Sequence, residues 1–393
     1  MRKNDITDLF NLQGVKVDFH KCSENLIELW IKCPVKEHTC PSCHYSTSRV
    51  HDYYTRSFNH IMVGKRTTKI YYKQRRYVCL HCGKRFAEKN SFIQKFYRHS
   101  NDVVNSVFDD LTSIKNLSQI GNDNNMSSQN VSRLMNKFMP IFHNTTSLPE
   151  AIGIDEFRGN SGGNKFQVAI TDLKTHKVID VISDRSEDAL YNFFRKISNP
   201  KDVKLVAMDL SLFFKKIIAD VFPNAKIIAD TFHFTRLMHW ALDNVRKEVQ
   251  KGLPKDMRIY FKRSRSVLHK RINDLNPDEY NQLTNMLDYN ENLRWAYSIV
   301  QNLFEIIDEK NPDKKVTLFK EFMTYASNCD LPEFNKHIKT YFKWHKYIIN
   351  SFYTNYSNGI TEGLNTKIKT LKRVSFGFRN FQNFRLRILM ACS

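Results

Sequence analysis

The sequence predicts a multidomain α/β protein in which a mixed β-sheet domain is interrupted by an all-helical insertion and preceded by two smaller modules. Three observations carry that expectation. The 393 residues exceed what one core usually organises, and the 41% that are hydrophobic suffice to fill two or three. Four of the eight cysteines fall in two CxxC pairs near the N-terminus. From residue 151 onward short apolar runs alternate with helical patterns, and a long amphipathic helical stretch then separates them from a last helical segment. The expected organisation is a four-cysteine module within 1–90, a helix-turn-helix region at 91–147, the sheet domain's first part at 148–231, the helical insertion at 232–350 and the sheet domain's last part at 351–393.

The cysteine pairs are "CPSC" (Cys40, Cys43) and "CLHC" (Cys79, Cys82). Each CxxC offers two thiolates from one tight turn, and two such turns make the tetrahedral site of a structural Zn²⁺, as in a zinc ribbon. The segment between them, with its alternating "TTKIYYKQRRYV", reads as a hairpin bridging the turns. His38, His44 and His81 stand beside the cysteines as spare donors that four thiolates make unnecessary. Cys22, Cys33, Cys329 and Cys392 lack metal spacing and read as ordinary small apolar residues.

Charge narrows the partners. Lysine and arginine outnumber acids 61 to 40, a net +21 that suits a polyanion such as DNA. Between Arg49 and Arg98 there are 13 basic residues against Asp52 and Glu88, interleaved with tyrosines, and beyond Glu362 there are seven basic residues and no acid. Two basic zones are expected. No apolar run approaches the roughly 18 residues of a membrane span, and "MRKNDITDLF" lacks the apolar core of a secretory signal, so a cytoplasmic protein is expected, on the nucleoid when bound to DNA.

In "LSQIGNDNNMSSQNVSRLMNKF" (117–138), Ser118 can cap a helix through Ile120, and Ser127 or Ser128 a second whose Val131, Leu134, Met135 and Phe138 face inward. In a helix-turn-helix the second helix would present Gln129, Asn130, Ser132 and Arg133 to the major groove. A plain helical hairpin is the alternative.

"AIGIDEFR", "KFQVAITDL" and "HKVIDVIS" read as strands, followed by helix, strand ("VKLVAMDL"), helix and strand ("AKIIAD"). This β-β-β-α-β-α-β series is the order of the ribonuclease H-like fold, whose first and fourth strands are neighbours. Asp155 and Asp209 end those two strands and would meet at one sheet edge. Converging carboxylates repel unless cations lie between them, and two-metal phosphoryl chemistry with two Mg²⁺ (or Mn²⁺) requires such a cluster. A helix through 360–373 would put Ile360, Leu364, Ile368 and Leu371 on one face, and Glu362, Asn365, Thr366, Lys369 and Arg373 on the other. Glu362 then supplies the third acid, with Lys369 and Arg373 beside it for phosphates. Asp230 also ends a strand and, with His233, ranks second. Glu156 should point away from Asp155 by strand alternation, and Trp240, Trp295 and Trp344 read as core aromatics of the insertion.

With the four-cysteine knuckle, "IDEF", "AMDLS", "ADTFHF" and "NGITEGLNTKIKTLKRVSFGFRNFQNFRLRI", the chain resembles insertion-sequence transposases of the ISL-three family, of the DDE type, over nearly its whole length. The resemblance implies a helix-interrupted ribonuclease H-like catalytic domain, DNA-binding modules that recognise terminal inverted repeats, and Asp155, Asp209 and Glu362 as the catalytic triad. Thr231 stands where such proteins usually have arginine. The expected activity is Mg²⁺-dependent DNA cleavage and strand transfer on transposon ends and target, by a homodimer or higher assembly. A DNA-binding regulator with an inactive sheet domain and a structure-selective nuclease are the alternatives.

Overall fold

A computed structural model describes residues 7–12, 14–142 and 145–392, which group into two compact units. The first holds the chain through residue 143 together with 370–377 and 382–391, and the second holds 144–369 and 378–381. The C-terminal stretch expected at 351–393 is therefore shared between units.

The first unit is built on a five-stranded sheet of β1 (Lys16–Cys22), β2 (Leu26–Lys32), β5 (Val50–Val63) and β6 (Arg66–Val78) in the order β1-β2-β6-β5, with β7 (Arg85–Ala87) paired to β6. A small ladder of β3 (His38–Thr39) and β4 (Ser46–Thr47) lies outside it. The hairpin between the cysteine pairs is β5 and β6, turning at Gly64 with φ +62°. Strands β1 and β2 were not anticipated, although "LIELWIK" alternates regularly and buries Ile27, Leu29 and Ile31 against Phe58, Ile70 and Tyr72. Cys22 is exposed, against the expectation of a small apolar role.

Three helices follow: α1 (Asn101–Thr112), α2 (Leu117–Asp123) and α3 (Ser128–Phe138). Asn116 caps α2, not Ser118. Its side chain accepts from the Gln119 N–H while the Gln119 side chain accepts from the Asn116 N–H, a reciprocal box that Ser118 lies too far along the chain to make. Ser127 caps α3. Gly121 permits the tight turn between these helices, since a Cβ there would stand 2.5 Å from the Met126 carbonyl oxygen. Val131, Leu134 and Met135 are buried with Val107, Leu111 and Ile120, while Phe138 is only half-buried.

The second unit has a five-stranded sheet in the order β10-β9-β8-β11-β12, comprising β8 (Ala151–Phe157), β9 (Gln167–Asp172), β10 (Lys177–Ile182), β11 (Leu205–Met208) and β12 (Lys226–Ala229). Strands β8, β9 and β10 pair antiparallel, and β8-β11 and β11-β12 pair parallel. The crossovers are α4 (Glu187–Phe194) and α5 (Leu212–Val221). A helical stretch follows: α6 (Thr231–Lys251), α7 (Lys255–Arg263), α8 (Arg265–Leu268), α9 (Pro277–Tyr289), α10 (Glu291–Asp308), α11 (Pro312–Ser327) and α12 (Pro332–Phe352). It shares one apolar core with the sheet, from Ile152 and Met208 to Phe319 and Trp344. Of the three tryptophans expected in that core only Trp344 is buried, because Trp240 and Trp295 lie on outward faces of their helices and are 46% and 48% exposed.

The last helices are α13 (Gly359–Val374) and α14 (Phe381–Cys392). The inward stripe of α13 is Thr361, Asn365, Ile368 and Leu371, so Asn365 is buried and does not share the exposed face of Glu362. The second basic zone is also partly structural. Arg387 on α14 is fully buried and donates to the carbonyl oxygens of Leu111 and Ser113 at the end of α1, where helical partners run out, and of Lys115 in the loop after it.

Arg387→Met keeps the bulk but leaves those carbonyls bare. It should lower the stability of the first unit by about 3 kcal/mol, seen as an earlier transition in urea unfolding followed by circular dichroism. An unchanged transition would mean that the buried guanidinium contributes nothing.

Candidate active site and zinc centre

Strand geometry brings the acids of the second unit together. The parallel pairing of β8 with β11 stops at Ile154 opposite Met208, so Asp155 and Asp209 are the next residues on adjoining strands. Asp155 lies within β8 and not at its end, because the antiparallel pairing with β9 continues to Phe157. Asp230 directly follows β12, its N–H donates to the Met208 carbonyl (3.1 Å), and it starts α6. One turn into that helix, His233 Nε2 lies 2.9 Å from Asp209 Oδ1 and 3.8 Å from Asp230 Oδ2. Donor atoms of Asp209, Asp230 and His233 all lie within 4.8 Å of one another, bringing the second-rank pair together with a first-rank acid. Asp155 and Glu362 stand outside that tight group.

The helix carrying Glu362 reaches the sheet because Gly153 has no side chain. A Cβ at Gly153 would collide with the hydroxyl of Thr361, which instead shares a 2.8 Å hydrogen bond with Thr171 on β9. One turn later Asn365 Nδ2 donates to Asp155 Oδ2 at 2.7 Å, and just before the helix Asn358 Nδ2 donates to Asp209 Oδ1 at 3.3 Å. Asn358 and Asn365 were missed as site residues. Their seven-residue spacing, with Thr361 between them, is a helical stripe that points at the sheet and could have found them. Glu362 itself is exposed in the first turn of α13, near enough that its charge acts on Asp230.

Burial, reinforced by the charge of Asp209, pushes the Asp155 carboxyl up to about 7. Burial likewise raises Asp230 to about 6, with His233 pulling the other way and Asp209 and Glu362 adding to the rise. His233 is raised although burial opposes it, because Asp209 accepts its hydrogen bond. Three buried oxygens at this place, Asp230 Oδ2, Asn358 Oδ1 and Asn365 Oδ1, have no hydrogen-bond donor. Orphaned oxygen acceptors beside carboxylates whose ionisation is disfavoured by burial fit a hard divalent cation, which takes oxygen ligands and favours the ionised form.

Asp209 borders a cleft of about 750 Å³ that Ser211, His233, Arg236, Glu156 and Arg185 also line. Glu156, expected to turn away from Asp155, pairs with Arg185 at 2.9 Å at the edge of this opening.

In the first unit the four cysteines form a second group. Cys40 and Cys82 sulfurs are 3.6 Å apart, Cys43 and Cys79 sulfurs 3.5 Å, and all four lie within 4.8 Å. Sulfurs about 2.3 Å from a central ion form a tetrahedron with edges of about 3.8 Å, so the spacing fits Zn²⁺. The two turns match. The N–H of His44 donates to the Cys40 carbonyl and that of Gly83 to the Cys79 carbonyl, and both residues have positive φ, +59° and +73°. Burial works against ionising the Cys40 thiol, yet backbone N–H groups of Cys43 and Ser42 bring it down to about 6.

On α3, Gln129 and Arg133 are exposed and Asn130 and Ser132 half-buried, while Lys369 and Arg373 are exposed on α13.

Residues 152–388, more than half the chain, match the ISL3-type family model described as "Transposase", and residues 36–82 match the zinc finger of transposases IS204/IS1001/IS1096/IS1165. The transposase for insertion sequence element IS1001 of Bordetella parapertussis is 20% identical over 96% of this chain and 94% of its own length. The transposase for insertion sequence element IS1557 of Mycobacterium tuberculosis is 23% identical over 59% of this chain and 57% of its own. A protein of Lactococcus lactis subsp. lactis named "ATP-dependent protease" is 37% identical over 99 residues, 25% of this chain and 30% of that protein.

Purified protein should carry one zinc per chain by metal analysis, and Cys79→Ser should release it and lower the melting temperature of the first unit, since the metal cross-links both ends of the hairpin. Native protein without zinc would refute the site.

Asp155 gives a signed pH dependence. Its folded carboxyl lies above its unfolded value, so the folded state holds a proton that the unfolded state releases, and metal-free stability falls as pH rises from about 4 to about 7. Asp155→Asn should flatten that fall, and at pH above 7 Mg²⁺ should raise the melting temperature of native protein but not of the variant. Equal pH profiles would remove Asp155 from the cluster.

Proposed function

Because the chain belongs to the ISL3 family of transposases, we propose that it binds the terminal inverted repeats of an insertion sequence and catalyses metal-dependent DNA cleavage and strand transfer. The observation that carries this reading is the adjacency of Asp155 and Asp209 on parallel neighbours β8 and β11, with the Glu362 helix seated against the same sheet at Gly153. The strand order β10-β9-β8-β11-β12 supports a ribonuclease H-like catalytic domain, formed by 148–231 and, of the stretch 351–393, the parts 351–369 and 378–381 that group with the sheet, around the insertion at 232–350.

Asp155, Asp209 and Glu362 are the proposed ligands of two Mg²⁺ or Mn²⁺ ions, with Asp230 and His233 second in rank. When bound, such ions polarise the phosphodiester and favour the ionised nucleophile. The protein's own groups do the positioning. Asn365 orients the Asp155 carboxylate, and His233 and Asn358 both donate to Asp209 Oδ1. The Cys40, Cys43, Cys79 and Cys82 module within 1–90 and the helix-turn-helix within 91–147 are assigned to end recognition, with Gln129, Asn130, Ser132 and Arg133 reading the major groove. Lys369 and Arg373, exposed on α13, are assigned to phosphates. No described helix is long and apolar enough to cross a membrane, and action in the cytoplasm, on the nucleoid and as a homodimer or larger assembly, completes the reading.

Asp155→Asn, Asp209→Asn and Glu362→Gln should each reduce Mg²⁺-dependent cleavage of end-containing DNA by more than about a hundredfold, beyond the roughly 10- to 100-fold that losing a residue supporting a metal ligand costs, while end binding in gel shifts stays near native. If Asp230→Asn kills cleavage and Asp209→Asn does not, Asp230 is the second ligand. Native protein that binds ends and never cuts them would make the chain a regulator.

A further inference from the structure

The exposed face of α6 carries a feature that the acids do not need. Phe232, Arg236 and Trp240 succeed one another at four-residue intervals, one above the next along the helix. The Arg236 guanidinium lies between the two rings, 5.1 Å from the Phe232 centroid and 4.9 Å from that of Trp240, and its Nη2 is 2.9 Å from His233 Nδ1. Phe232 is 48% and Trp240 46% exposed, although both stand on a helix whose other face is fully packed. Among the described residues no carboxylate pairs with Arg236, and its Nε is buried without a hydrogen-bond partner.

Single exposed apolar residues are common and carry no message. Here two aromatic rings flank an arginine that lines the catalytic cleft and touches the histidine bound to Asp209. Rings with an open face, set around a cation without an acid, are what a single nucleic-acid strand needs: bases stack on the rings and a phosphate meets the guanidinium. A strand with unpaired bases, unlike a duplex, exposes base faces that such rings can stack on, and Arg236 itself lines the cleft of about 750 Å³ that Asp209 borders.

We propose that Phe232, Arg236 and Trp240 form a stacking shelf that holds unpaired bases of the DNA strand entering the cleft. The inference rests on the reading that DNA is the substrate of this site, and it adds a strand-separating subsite to it. Trp240 and Phe232 act by binding the bases next to the scissile phosphate.

The test uses the full chain, with zinc retained, and a short single-stranded oligonucleotide containing 2-aminopurine, alongside a duplex of the same sequence. Trp240→Ala and Phe232→Ala should each weaken binding of the single strand by about tenfold and abolish the stacking-induced change in 2-aminopurine fluorescence, with duplex binding unchanged. Trp240→Phe, which keeps a ring, should retain most of both signals. Cleavage of ends with mismatched bases at the cut site should suffer less from Trp240→Ala than cleavage of fully paired ends. Unchanged single-strand affinity and fluorescence in both alanine variants would overturn the shelf, as would equal losses on single strand and duplex. The binding arm needs no turnover. A chain that binds the strand through Trp240 and never cuts keeps the shelf and loses the transposase reading, whereas a chain that cuts while its variants bind normally loses only the shelf.

Discussion

The second unit depends on keeping like charges close together. Asp155, Asp209 and Asp230 converge where the parallel pairing of neighbouring strands stops, and burial with mutual repulsion holds Asp155 up at about 7 and Asp230 at about 6. A fold tolerates this only if other groups hold the carboxylates in place. Asn365, Asn358 and His233 do so by donating hydrogen bonds, and the missing side chain of Gly153 lets the helix that brings Asn365 lie against the sheet. The remaining unsatisfied oxygens mark where a cation's charge would relieve the rest.

The basic residues, which at first all speak for a polyanion, divide into two kinds. Arg387 is fully buried and closes the end of α1, and Arg75 is buried against Glu88 while donating to the Cys33 and Pro34 carbonyls. Removing these would loosen the fold before it changed any affinity. Exposed cations such as Arg133, Lys369 and Arg373 remain available to phosphates, whose attraction is long-ranged and falls with salt.

In the first unit the two CxxC turns sit at the ends of a long hairpin, so four thiols separated in sequence become neighbours only when β5 and β6 pair in register. Metal binding and sheet formation are therefore one folding event in that region. His44 adopts at the first turn the left-handed backbone that Gly83 adopts at the second, which shows how strongly the turn geometry is imposed there.

Much was legible in the sequence because the pattern records local geometry. Alternation marks β6, a short apolar run marks β8, the CxxC pairs mark a tetrahedral thiolate site, and the apolar period across 360–373 marks a helix observed at Gly359–Val374. Periodicity gives a face but not what meets it. Asn365 reads as one more polar residue beside Glu362 until Asp155, 210 positions earlier, is folded against it. Trp240 and Trp295 read as core by composition, and only the packing of neighbouring helices leaves them outside. Arg387 reads as one of a basic run, and it is buried where it donates to carbonyls at the end of α1. Those roles were decided by tertiary structure, because each depends on a partner distant in the chain whose approach no local pattern encodes.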